Sequence, residues 1–134
     1  MSLLASFDIG TTGLVAQSVR LNLISSNIAN AETVVSADET PYQSRQAVFK
    51  VSRMESGFGE GVAVSRIVKS DAPARLEYKP NHPLANAAGY VAMPNVNVAE
   101  QTVDMISASR AYQTNVEIMN VSRQLILKLL DLGK

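Results

Sequence analysis

The sequence predicts a mainly α fold with a small β-rich insertion, its long N- and C-terminal helices packed as an antiparallel coiled-coil-like hairpin. Three observations predict it. Apolar residues recur at helical spacing over about thirty residues at each end of the chain. The first end is nearly uncharged, since up to Ala31 its only ionisable side chains are Asp8 and Arg20. All five prolines fall between Pro41 and Pro94, which breaks the middle into short pieces. A helix on the surface of a soluble monomer carries a charged back. Here that back holds serine, asparagine, threonine and glutamine. Such helices are expected where water rarely reaches, packed among other helices in an assembly.

The first helix is expected over residues 1–32. Leu3, Phe7, Gly10, Leu14, Gln17, Leu21, Ile24, Ile28 and Ala31 step by four and three, which approaches the heptad period. A second line, Val15, Val19 and Leu23, lies on the opposite side at about 100° per residue. Two opposed apolar faces cannot both be buried by one partner, so burial between several helices is expected. Gly10 and Gly13 each cost roughly 1 kcal/mol relative to alanine in a helix interior. The free end is therefore expected to fray until assembly orders it.

The last helix is expected over residues 97–132, with Asn97 and Glu100 as a capping box and Gly133 as its stop. One face carries Met105, Ala108, Tyr112, Val116, Met119, Ile126 and Leu130. The other carries Val103, Ile118, Val121, Leu125 and Leu132. At about 1.5 Å per residue the helices are roughly 45 and 50 Å long, matched for antiparallel packing. Residues 1–33 and 96–134 thus form a terminal-helix domain, and residues 34–95 a small insertion. Strands are expected over residues 46–51, 61–69 and 75–78, with a slip after Val64 that suggests a bulge. Gly57, Gly59 and Gly61 read as a hairpin turn, and residues 78–83 as an extended loop.

Little here supports chemistry. Net charge is zero with no Lys/Arg stripe, so nucleic acid is not an expected partner. There is no cysteine, and His82 is the sole histidine, which leaves no zinc set. No nucleophile elbow exists, and the glycines at 57–61 precede no Lys-Ser/Thr pair. Asp38-Glu39 reads as a solvated loop. Catalytic, cofactor-binding and metal-ligating residues are accordingly expected to be absent, and the chain is not an expected enzyme. No apolar run nears the roughly 18 residues of a membrane span. No basic, then apolar, secretory leader opens the sequence. Arg20 alone does not supply the basic face of an interfacial helix, although a membrane-surface or helical adaptor module is the reading of a different class.

Two stretches carry a family resemblance. LISSNIANAET at residues 23–33 resembles the N-terminal signature of the flagellar rod and hook family. SASRAYQTN at residues 107–115 resembles that family's C-terminal helix signature. PNHPLA at 80–85, GYVAMPNV at 89–96, Phe7-Asp8-Ile9 and Pro41-Tyr42 are similar to its short proximal-rod members, another short rod subunit being the nearest alternative. The resemblance spans essentially the whole chain. It implies a structural subunit of the bacterial flagellar basal-body rod, the drive shaft that transmits torque and encloses the export channel. It further implies location in the periplasmic space, passage through the flagellar type III export apparatus without a cleaved signal peptide, and partners that are copies of itself and neighbouring rod proteins.

Assembly residues follow from the helix faces. Phe7, Leu14, Leu21, Ile24 and Ile28 are expected to meet Met105, Tyr112, Val116 and Met119 of the same or a neighbouring chain. Leu23, Ile118, Leu125 and Leu132 are expected to face other subunits, though the sequence does not say which line is internal. Asn27 and Asn30, near the end of the first helix, read equally as end caps or as contacts between subunits. Arg110 reads as paired with a carboxylate or as solvated. Tyr112 is expected to bury its ring with the hydroxyl at a rim.

Overall fold

The computed structural model describes residues 3–35, 39–54 and 59–133. Two long helices, α1 (Leu3–Ala29) and α2 (Val98–Leu132), enclose four strands in the chain. These are β1 (Arg45–Arg53), β2 (Glu60–Lys69), β3 (Arg75–Tyr78) and β4 (Tyr90–Met93).

The helices pack side by side, and their contacts run in opposite order. Asn27 meets Gln101 and Arg20 meets Asp104. A Cβ added at Gly13 would lie 2.9 Å from Asn115 Nδ2, and one at Gly10 2.9 Å from Met119 Cγ. The two glycines therefore admit α2 side chains against the α1 backbone, which offsets their intrinsic helix cost. This seam is not the line of the sequence pattern. It falls on Gly10, Gly13, Arg20 and Asn27, with Ile24 buried beside them, while Phe7, Leu14, Leu21 and Ile28 are only half-buried. On α2 the expected face holds better. Ala108 is buried and Met105, Val116, Met119 and Ile126 are half-buried, but Leu130 is exposed. Tyr112, expected to bury its ring, is 37% exposed. Gln101 and Ser122 are buried on the same side.

Helix α1 stops at Ala29, short of the expected residue 32. There the Asn30 side chain donates to Ser26 O at 2.7 Å, while Ala31 N donates to Ile28 O at 3.1 Å and tightens the last turn. At the start of α2, Asn97 Oδ1 accepts from Ala99 N at 3.1 Å and Glu100 N at 3.4 Å. The cap is as expected, but Glu100 does not return a bond to Asn97 N, so only half of the box forms. Gly133 has φ −91° and ends the helix without a left-handed turn.

Strands β1 and β2 form an antiparallel ribbon. Val48 pairs with Arg66 and Phe49 with Val64, so Ser65 is the extra residue of a bulge at the slip read from the sequence. The turn glycine Gly57 lies outside the described residues. Strands β3 and β4 form a second antiparallel pair, and Val35 bridges the far side of β4 at Ala92. Strand β4 is not in the sequence expectation. Its Val91, Ala92 and Met93 are buried, so it shows no alternation, and Pro94 ends it. Gly89, at φ +80°, turns into β4 directly against the Tyr78 ring. Tyr78 then stacks edge-on with its cross-strand partner Tyr90 at 5.2 Å. The core consists largely of small residues, Ala5, Ala16, Ala31, Ala92 and Ala108 among them. Small side chains let helices and ribbon approach closely in a chain poor in aromatics.

Candidate assembly interface

Asn27 is fully buried and stands at the junction of α1, α2 and the ribbon. Its Nδ2 donates to Gln101 Oε1 at 2.8 Å and to Arg45 O at 2.9 Å. Its Oδ1 accepts from Arg45 N and from the Tyr42 hydroxyl, each at 2.9 Å. One side-chain amide thus satisfies both backbone groups of Arg45, as a neighbouring strand would. Both readings offered by the sequence are corrected, since Asn27 neither caps α1 nor keeps a free group for another subunit. Asn30 does cap, as one of its readings had it.

The ribbon is held along α1 at its other end too. Val62 N donates to Thr12 Oγ1 at 3.1 Å, and that hydroxyl donates to Ile9 O at 2.8 Å. Asn95 fixes the base of the ribbon, accepting from Ser44 N at 2.8 Å and donating to Ser70 O at 3.1 Å and Ala72 O at 2.8 Å. Thr12→Val removes an acceptor that no neighbour replaces. A loss of about 1 kcal/mol in unfolding free energy is expected, read from the denaturant midpoint together with faster amide exchange at Val62.

These contacts revise the second apolar line of α1. Leu23 and Ile24 line a cavity of about 330 Å³ together with Ala47 and Phe49 of β1. Leu23 is therefore turned toward the chain's own ribbon, Val15 stays exposed and Val19 is half-buried. Three of the polar side chains around that cavity are already engaged, and Arg45 lies over the Tyr42 ring. Arg20 pairs with Asp104 at 3.1 Å, and Gln101 accepts from Asn27. It offers no unoccupied acid, base or nucleophile to a substrate. His82 serves its own loop, with Nδ1 accepting from Leu84 N at 3.1 Å. Among the described residues no three His, Cys, Asp or Glu gather as a metal set, and no described helix is long and apolar enough to cross a membrane.

Arg110 is exposed and has no carboxylate within reach among the described residues, so the solvated reading holds within the chain. The ribbon sets Arg45 beside Lys69, which the linear sequence keeps apart, while Lys50 and Arg66 lie on its other face and Arg53 approaches Glu60 at 4.0 Å. Charges on an open two-stranded ribbon discourage edge-to-edge pairing. Sequence reasoning also missed Tyr42, Asn95 and Gln101. Gln101 had a signal: it continues the line of Met105, Ala108 and Tyr112, and a polar side chain on an apolar line requires a partner.

On α2 the face turned from α1 remains open. Val103, Ile118, Val121, Leu125 and Leu132 are all exposed there, and Leu132 reaches 83%. Ser107, Arg110 and Thr114 interrupt the line, so its unbroken part runs from Ile118 to Leu125; single exposed apolar residues are ordinary, but such a cluster marks an interaction surface.

Comparison with known proteins accords with this layout. Residues 7–34 match the family model described as "Flagella basal body rod protein". Residues 87–132 match that described as "Flagellar basal body rod FlgEFG protein C-terminal". A flagellar basal-body rod protein FlgC from Yersinia enterocolitica is 49% identical over 134 residues, spanning all of both chains. FlgC of Escherichia coli O6:H1 is 47% identical, again over both full chains. FlgC of Borreliella burgdorferi is 39% identical over 93% of each. The chain therefore belongs to the FlgC family of flagellar basal-body rod proteins and is a structural subunit of that rod rather than an enzyme.

Proposed function

We propose that the chain builds the proximal part of the rod by polymerising through its terminal helices, joining copies of itself and neighbouring rod proteins. Residues 1–33 and 96–134 act as one unit, an antiparallel coiled-coil-like hairpin, and residues 34–95 as a smaller unit fastened to it. The opposite order of the α1–α2 contacts supports the hairpin. The observation that carries the polymer is the open apolar line of α2, which no described residue covers. Neighbouring subunits bury it, and this burial offsets the entropy lost on ordering the ends. Contacts of unlike surfaces that do not close into a ring extend as a helical tube, which encloses a channel and carries torque. Phe7, Leu14, Leu21 and Ile28 border the seam and contribute a second strip to neighbours. Tyr112 lies at its rim, whereas Arg110 stands on the open side of α2 and meets a carboxylate of a neighbour there.

In this reading the subunit crosses the envelope through the flagellar type III export apparatus, with no cleaved leader, and assembles in the periplasmic space. A glycine-bearing first helix with a core of small residues suits a chain that must thread a channel before folding. The test is complementation. The chain should restore swimming to a strain lacking its own FlgC and should be found in isolated basal bodies. Leu21→Asp or Ile28→Asp should abolish rod incorporation while export stays detectable in the medium. Normal swimming by either variant refutes the packing role.

A further inference from the structure

The contacts between α1 and α2 are chemically unlike one another at each level. Asn27 bonds Gln101 at 2.8 Å, and Arg20 bonds Asp104 at 3.1 Å. At Gly13 and Gly10 the missing side chains admit Asn115 and Met119. Apolar burial alone tolerates sliding by one heptad, because leucine and methionine fit several notches. These levels do not. A slide of seven residues along α2 would set Asn27 against Ala108 and Gly13 against Ser122 in one direction, or Gly13 against Ala108 in the other. It would leave Gln101 and Asn27 short of a bond and move Asp104 away from Arg20. Asn27 and Gln101 are buried, so each group orphaned there costs about 1–3 kcal/mol, while the half-exposed Arg20–Asp104 pair adds a smaller term.

We propose that the two polar pairs and two glycine notches between α1 and α2 form a register code that fixes how far α2 projects past α1. By the observed alignment α2 continues about six residues beyond Leu3, roughly 9 Å at 1.5 Å per residue. That projecting piece carries exposed Leu127, Leu129, Leu130 and Leu132. A slide of one heptad would change its length by about 10 Å, either hiding it or doubling it. The code rests on the hairpin reading above. It gives the seam a task other than stability, since substitution by leucine would raise burial and lose uniqueness.

The native chain has no cysteine, so an introduced pair supplies the only thiols. Gly13→Cys with Asn115→Cys reports the native register. Gly13→Cys with Ala108→Cys, or with Ser122→Cys, reports a slide of one heptad in either direction. Each pair is oxidised in the native background and in a chain bearing Arg20→Leu, Gln101→Leu and Asp104→Leu. This variant leaves Asn27 bonded to Arg45, and circular dichroism checks that it is helical. The oxidation is run on the purified chain and, in parallel, on isolated basal bodies, so that a chain unable to hold its helices alone is still read. The native background should cross-link only at 13/115. The leucine variant should show a slid product at least about tenfold above it, the ratio that corresponds to about 1.4 kcal/mol. Gly13→Cys fills that notch in every arm, so a helical leucine variant cross-linked only at 13/115 overturns the polar pairs as what fixes the register. Since cross-linking of the purified chain needs no polymer, that result leaves the rod function untouched. Failed rod incorporation with unchanged register would instead count against the assembly reading.

Discussion

Asn27→Leu is expected to lower the unfolding free energy by about 3 kcal/mol. The two residues have similar volume, so no cavity opens. What changes is the pairing of four groups. Arg45 N, Arg45 O and Gln101 Oε1 lose their partners, and the Tyr42 hydroxyl keeps only Ser26 Oγ at 3.3 Å. Tyr42 is half-exposed and finds water, whereas Gln101 is buried. Orphaned buried groups cost about 1–3 kcal/mol each, which places the estimate near the low end of their sum. Gln101→Leu removes one of the four bonds and should cost about 1 kcal/mol. Denaturant titration of the three chains checks the ranking. An Asn27→Leu midpoint equal to the native one would mean that the junction relaxes freely and holds nothing.

The second large effect separates folding from assembly. Val121 and Leu125 are 56% and 45% exposed on the open side of α2. Replacing both by aspartate breaks no hydrogen bond or ion pair among the described residues and leaves the buried side of α2 unchanged, so isolated stability should change by less than about 0.5 kcal/mol per site. Placed in a buried contact between subunits, the same two carboxylates would each cost several kcal/mol. Swimming and recovery of the chain in basal bodies should therefore be lost, while its melting temperature hardly moves. A variant that swims normally would show that this side of α2 faces water in the rod. One that unfolds in isolation would show that the line belongs to the interior.

Both helices were legible in the sequence because their apolar spacing is long and punctuated. Asn97 marked the start of α2 because its side chain has a single use there, accepting from the first free amides. The bulge was legible in the slip after Val64, since a period of two has no other way to lose step. The seam was harder. The pattern located apolar residues, but the α1 backbone meets α2 at glycines and polar residues, and periodicity registers neither. Leu23 was assigned to neighbours because nothing local reveals that a ribbon twenty residues later will cover it. Strand β4 was missed because a short, wholly buried run looks the same in any secondary structure. Asn27 was noticed through its family motif. Its four partners come from positions 42, 45 and 101, and no local rule brings those together.

Thr12 and Asn27 fasten the β1–β2 ribbon to one helix at points fifteen residues apart, roughly 22 Å along its axis at 1.5 Å per residue. A rod riveted to a plate at two stations cannot flex unless the plate stretches or a rivet shears. Extended backbone scarcely stretches, so load on α1 passes into the ribbon through two hydrogen-bonded joints. A threonine hydroxyl and an asparagine amide thus stiffen a single subunit under twist alongside the packed seam with α2.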